Sequence, residues 1–257
     1  MTDLYSTLSQ VYETMYQTFI DYEEEFAFYS QILQKYQCQS VVEIGCGTGN
    51  LAPLFTAQNF NYFGLDFSDD MLRIAKEKFP KGQFLQGDMR DFNLKKQVHS
   101  SLITARSLSY MVENSEVEAT FKSVYKNLKM GGIFAFDVID ANRFIPDIYY
   151  GKNLRHTAIF EGIEYFRESE LSVNLNAKSW TFDWLSTFYK KEAETNVLLG
   201  KDESSVRAFT RNDIEILLKM AGFEVLEVID KRAYMFDTFV FVAIKKGLNP
   251  SIGCQIS

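Results

Sequence analysis

Histidine, cysteine and proline are scarce in this chain. Its 257 residues include two histidines (His99, His156), three cysteines (Cys38, Cys46, Cys254) and four prolines. That stock is too small for a typical His/Cys metal cage or a disulfide framework, so no metal site is expected. Basic charge is also short: 27 Lys and Arg stand against 34 Asp and Glu, a net charge of −7. This is the reverse of the footprint of a nucleic-acid binder, so none is expected as a partner. No long hydrophobic run exists either. The longest charge-free stretch, Ile44 to Leu65, is broken by Gly, Asn, Gln, Thr and Pro53 and cannot span a bilayer, so no membrane association is expected. The opening MTDLYSTLSQ lacks the basic-then-apolar pattern of a secretory signal, and a reducing cytoplasmic location is the expectation. What the chain has in plenty is aromatic residues: 15%, with 23 Phe and 14 Tyr, within an ordinary globular balance of 46% apolar and 24% charged residues.

Hydrophobic periodicity divides the chain. Leu4, Leu8, Val11 and Met15, then Phe26, Tyr29, Leu33 and Tyr36, recur at helical spacing, so residues 1–39 read as a helical cover. Over 40–140, short runs rich in β-branched and aromatic residues (SVVEIG, NYFGLD, GQFLQGD, HSSLITA, GIFAFDVI) alternate with helical stretches such as MLRIAKEKF and ATFKSVYKNLK. That rhythm predicts a doubly wound parallel sheet with helices on both faces, an α/β fold. Over 141–209 it changes to long alternating segments, IEYFRESELSV and KSWTFDWLSTFYK around the turn NLNAK, then a hairpin-like NVLLG–KDES–SVRAF. These predict an inserted antiparallel unit. Residues 210–247 read as a helix capped by Thr210 with Asp213 three residues on and Gly222 at its end, followed by strands EVLEVID and DTFVFVAIKK; 248–257 form a tail.

The most informative stretch is Val41-Val42-Glu43-Ile44-Gly45-Cys46-Gly47-Thr48-Gly49-Asn50. A buried-looking strand runs into three alternating glycines, which allow a sharp turn and close backbone approach to a ligand. A dinucleotide fingerprint G-x-G-x-x-G would need glycine where Asn50 stands, and a P-loop would need Gly-Lys-Ser/Thr, which is absent. The acidic Glu43, two residues before the first glycine, is also a poor neighbour for a pyrophosphate.

EIGCGTGN resembles motif I of the class I S-adenosylmethionine-dependent methyltransferases, and four companion motifs follow in order: GLDFS, QGDMRDF, SLITARS and LKMGGIFAFDV. The resemblance implies a Rossmann-like, seven-stranded methyltransferase sheet with the inserted antiparallel unit, and S-adenosyl-L-methionine as methyl donor. Asp66 lies 21 residues after Gly45, near the ~20 expected of a ribose-binding acid, and otherwise is a solvated turn aspartate. Phe67, Thr104 and the backbone of Gly45, Cys46 and Gly47 are implied in the cofactor site. Asp88 is a candidate for the adenine amino group, or a cap, with Met89 over the ring. Glu43 faces the donor's ammonium or is a buried structural group. An acidic pocket suits a ligand of net charge +1.

Within the class, the chain is most similar to N-methyltransferases that dimethylate amino sugars and to related bacterial small-molecule methyltransferases, through VYETMY, Asp21-Tyr22, SDDML, QGDMRDF and SLSY. That similarity implies Tyr16 and Tyr22 over the donor; the plain alternative is an amphipathic helix face. Those enzymes carry a basic residue between the two tyrosines, where QTFID has none, so Arg106 is a candidate for the missing charge or for an acidic group on the acceptor. Tyr16 and Tyr110 are candidates to overlook the methyl group, and His156 is a candidate base, needed more for a hydroxyl than for a neutral amine. Trp180, Phe182, Trp184, Phe188 and Tyr189 lie on one expected strand. They are either the buried side of a sheet or an aromatic wall, with Trp180 and Trp184 touching the acceptor or a homodimer partner. The expected activity is methyl transfer to a small-molecule amine, with an O-methyltransferase, a nicotinamide oxidoreductase and a non-catalytic binding module as alternatives.

Overall fold

The computed structural model describes residues 13, 15–18, 20–160, 162–192, 195–233 and 236–246; Leu4, Leu8, Val11 and the tail 248–257 lie outside them. Helices α1 (Tyr22–Lys35), α2 (Ala52–Ala57), α3 (Asp69–Lys78) and α4 (Asn114–Asn127) alternate with strands β1 (Ser40–Ile44), β2 (Asn61–Asp66), β3 (Phe84–Gln86), β4 (Val98–Ile103) and β5 (Leu128–Ile139). After the insertion come α6 (Arg211–Met220), β10 (Phe223–Ala233) and β11 (Phe236–Lys245). The seven strands form one sheet in the order β10-β11-β5-β4-β1-β2-β3. β1 to β5 run parallel, while β11 pairs antiparallel with both β5 and β10. This is the doubly wound Rossmann-like sheet expected, and its order reverses beside β1, where the carboxyl ends of β1 and β4 diverge to leave a crevice.

Alternation along each central strand decides the layers. Val42, Ile103, Phe134, Phe136 and Phe241 pack on one face with Val117 and Phe121 of α4 and Ile214 and Leu218 of α6. Their neighbours Val41, Leu102, Ile133, Ala135 and Val240 pack on the other with Tyr29 and Leu33 of α1 and Phe55 of α2. Successive strand side chains point to opposite faces and both faces of these strands are buried, so β1 is buried throughout, with Val41, Val42 and Ile44 apolar and only Ser40 and Glu43 polar. Helix starts follow local chemistry. Asp21 accepts the Glu24 N–H, Ser68 accepts the Met71 N–H, and Thr210 and Asp213 form the expected capping box.

The second sheet lies between β5 and α6 in the chain. It comprises β6 (Lys152–Phe160), β7 (Ile163–Val173), β8 (Thr181–Glu192) and β9 (Thr195–Arg207), antiparallel in that order and preceded by α5 (Ala141–Ile148). The expected hairpin NVLLG–KDES–SVRAF does not form. Those residues run as the single strand β9, paired with β8 from Thr195 to Arg207. The polar KDES satisfies its backbone across the ladder, with alternate side chains facing outward, so it has no reason to turn. Phe182, Ser186 and Phe188 are buried on one face of β8 with the half-buried Trp184, whereas Trp180 precedes the strand and is half exposed. Phe144, Ile145 and Ile148 of α5 wedge the two sheets together with Ile139, Phe182, Val206 and Phe236. Entry and exit of this segment are stitched by a bridge between Asp140 and Phe209, with Phe209 N–H donating to the Ile139 carbonyl at 2.8 Å.

Candidate functional site

Two adjoining cavities open at the crevice, one of about 450 Å³ and one of about 200 Å³, and Tyr16, Gly45, Gly47, Ala105 and Arg106 line both. The glycine loop forms their shared rim. Gly45, Gly47 and Gly49 have φ of +76°, +53° and +72°, which L side chains rarely adopt. A Cβ at Gly45 would stand 2.7 Å from Ser107 Oγ, and one at Gly49 2.9 Å from the Phe84 ring; in front of Gly47 there is open space. That open backbone face leaves room for a ligand. Gly47 N–H donates to Asp66 Oδ2 at 2.7 Å and Ser68 N–H to Oδ1 at 2.9 Å, so the β2 carboxylate and the β1 loop are locked together. Burial pushes the Asp66 carboxyl above the usual range, opposed by these backbone donors. Each Asp66 oxygen still has a lone pair for a ligand hydroxyl.

Glu43 is buried within β1. Tyr62 donates its hydroxyl to Oε2 at 2.5 Å and Thr104 its hydroxyl to Oε1 at 2.9 Å. Desolvation raises its carboxyl to about 7, against the lowering effect of those two donors. Glu43, Thr104, Cys46 and Tyr22 line the smaller cavity. Burial raises the Cys46 thiol and the Tyr22 phenol well above their usual ranges, so both are neutral. Asp66, Phe67, Asp88, Met89, Tyr110 and Trp184 line the larger one.

Arg106 and the preceding Ala105 both occupy the left-handed region, at φ +63° and +52°, a strained pair for non-glycine residues. The strain is held by Asp137 at the end of β5, whose Oδ1 accepts the Arg106 N–H at 2.8 Å. Burial raises the Asp137 carboxyl to about 6, with the Arg106 charge pulling the other way. The guanidinium of Arg106 is thereby thrown to the junction of the cavities, 4.9 Å over the Phe236 ring.

The structure brings together most of the expected residues and leaves two apart. His156 lies on β6 and Trp180 before β8, and neither lines either cavity. His156 Nδ1 accepts from Arg167 Nη2 at 3.1 Å, and burial with that cation's charge lowers the imidazole to about 4. Asp88 is on the wall, but its carboxylate is gripped by Arg90, with Nη2 at 2.6 Å; Arg90 also reaches Glu116 at 2.7 Å. The Arg90 guanidinium holds the Asp88 carboxyl below its usual range. Sequence reasoning missed Arg90, Glu116, Asp137 and Phe236. Arg90 was legible in principle, two residues from Asp88 within QGDMRDF; the others come from β5, α4 and β11, which only tertiary pairing brings here. Among the described residues no group of three or more His, Cys, Asp or Glu could hold a metal ion, and no helix is long and apolar enough to cross a membrane.

Comparison with known proteins is consistent with this geometry. A model described as a methyltransferase domain matches residues 41–132. The methyltransferase-family protein YqeM of Bacillus subtilis is 30% identical over 197 residues, covering 73% of this chain and 74% of YqeM. A dTDP-3-amino-3,4,6-trideoxy-alpha-D-glucopyranose N,N-dimethyltransferase of Streptomyces venezuelae is 32% identical over 97 residues, 38% of this chain and 41% of that protein. Among solved structures, CalS10, described as an amino pentose methyltransferase from Micromonospora echinaspora, superposes with a TM-score of 0.78 at 20% identity, over 92% of this chain and 97% of that one.

Proposed function

Because this chain belongs to the S-adenosylmethionine-dependent methyltransferases, we propose that it methylates a small-molecule amine, such as an amino sugar, enclosed beneath the inserted sheet. The observation carrying this reading is the continuity of the larger cavity. It runs from the Asp66 carboxylate and the glycine loop to Trp184 and Val206 of the inserted sheet and Phe236 of β11. Its volume of about 450 Å³ suits a small molecule rather than a polymer.

S-adenosylmethionine supplies an electrophilic methyl group on a sulfonium. The chain's own work is to bind and orient. Asp66 accepts the ribose hydroxyls, Phe67 and Met89 flank the adenine end beside Asp88, and the Gly45–Cys46–Gly47 backbone carries the centre. Glu43, Thr104 and Tyr22 surround the amino-acid end, where Glu43 offers its carboxylate to an ammonium. Tyr16 and Arg106 at the junction, with Tyr110 on the wall of the larger cavity, exclude water. Positioning of this kind supplies up to about 7–11 kcal/mol of a bimolecular barrier, and a neutral amine needs no proton removed before attack. That fits the wall, where Asp88 and Glu116 are both paired with Arg90 and His156 is out of reach. The amino-sugar and amino-pentose substrates in the names of the similar proteins also support an amine.

The test is turnover of S-adenosylmethionine by the purified protein with a panel of amino sugars, simple amines and hydroxylated analogues, with products read by mass spectrometry. Methylated amines are expected. Transfer to hydroxyl acceptors alone would overturn the amine assignment, and donor binding without any product would favour a binding module.

A further inference from the structure

The inner face of the inserted sheet carries a buried polar band beside its aromatic Phe182 and Phe188. Arg167, Ser169, Ser186 and Asp202 are all at most 6% exposed. Cross-strand register sets Ser169 beside Ser186 and Ser186 beside Asp202, with Trp184 one pair along the same face of β8. The hydroxyls satisfy one another: Ser169 and Ser186 share a hydrogen bond of 3.0 Å, and Ser204 donates to Asp202 Oδ2 at 3.2 Å. Arg167 is 2% exposed, and among the described residues it forms no ion pair with a carboxylate. Its contacts are His156 Nδ1 at 3.1 Å and the ring faces of Trp184 and Tyr16, centred 5.4 and 6.0 Å away.

A buried guanidinium normally needs a counter-charge, and aromatic faces compensate only part of its desolvation. His156 brings none, since it is held neutral by burial and by this same cation. Among the described residues, neither Arg167 Nε nor Trp184 Nε1, both buried, has a hydrogen-bond partner. Among the described residues the unmet demand is thus for oxygen acceptors carrying negative charge; Arg167 itself lines neither cavity and lies behind Trp184 and Tyr16, which form the wall at that end of the larger one.

We propose that Arg167 and Trp184 form an acceptor subsite for an anionic oxygen group, a carboxylate or a phosphate borne by the molecule being methylated, with the Tyr16 ring turning aside to admit it. The group is held by the Arg167 fork and the indole N–H, and it orients the far end of the acceptor while the nucleophile faces the donor. This rests on the methyltransferase reading and narrows its substrate class to anionic acceptors.

The experiment uses the full chain with Trp180→Phe, which leaves Trp184 as its sole indole. Calorimetry first establishes loading with S-adenosylhomocysteine; no binding there would overturn the methyltransferase reading and this inference with it. The loaded protein is then titrated with inorganic phosphate and, separately, with acetate, against sodium chloride at matched ionic strength, reading Trp184 fluorescence. A saturable response to either anion is expected and identifies the preferred group. It should weaken at least tenfold in Arg167→Met, and severalfold in Arg167→Lys, which keeps the charge but loses the fork, while S-adenosylhomocysteine affinity holds. No response beyond that of chloride overturns the subsite and leaves the methyltransferase reading standing. An undiminished response in Arg167→Met, or in Arg167→Lys should the methionine variant fail to fold, overturns the role of Arg167.

Discussion

Glu43 offers the sharpest physical test of the site. Its carboxylate sits in the middle of a buried parallel sheet, and burial raises it from 4.5 to about 7. The folded state therefore holds the Glu43 proton more tightly than the unfolded chain does. The favourable contribution is fully present below about pH 4.5 and is lost as pH rises through 7. At about 1.4 kcal/mol per pH unit, the whole effect is roughly 3 kcal/mol, of which about 2–3 kcal/mol falls between pH 5 and 8. Glu43→Gln removes the ionisation while keeping the shape. Its carbonyl accepts one of the hydroxyls of Tyr62 and Thr104, and its amide donates to the other once that hydroxyl rotates. Urea midpoints of both proteins near pH 5 and pH 8, with equal m-values, isolate this one group from every other titration. The variant should gain about 2–3 kcal/mol on the native protein between the two pH values. A stability difference that is the same at both would refute the reasoning, because it would mean that Glu43 ionises in the folded state as easily as in water.

Other perturbations address separate parts of the site. Asp66→Ala removes the acceptor of the Gly47 and Ser68 N–H groups as well as the proposed ribose contact. S-adenosylhomocysteine affinity by calorimetry should fall about 10–100-fold, or about 1.4–2.7 kcal/mol, and an unchanged affinity would count against the cofactor pose. Gly64→Ala drives a Cβ to 2.7 Å from Cys46 Sγ and 2.8 Å from the Phe84 ring. It should destabilise the fold by about 1–3 kcal/mol, seen as a lowered Tm, and a neutral result would mean the β2 packing is looser than described. Trp184→Ala should raise the acceptor KM while S-adenosylhomocysteine affinity stays within about twofold, since Trp184 lines only the acceptor end of the larger cavity; a loss of donor binding instead would place that residue wrongly.

Much of this protein was legible without coordinates wherever structure is set by neighbours in sequence. NYFGLD is β2 to the residue, the Thr210–Asp213 box caps α6, and Gly222 ends that helix at φ +91°. Three alternating glycines with Asp66 21 residues after the first announced the glycine-lined crevice, because turn geometry and strand length are local properties. Long-range pairing was not legible. KDES carries turn-like residues, yet the β8 ladder holds it extended as part of β9. His156 was a candidate base, but β6 pairs it against Arg167 and away from both cavities. Asp137, hidden in an apolar strand, props Arg106 into a left-handed turn at the cavity junction. By itself, then, the sequence determined the elements, the glycine loop and the acid that follows it, since hydrogen bonding and side-chain alternation over a few residues dictate them. Only the tertiary structure decided which side chains share a cavity and which charges are left uncompensated, because burial and partnership come from residues far apart in the chain.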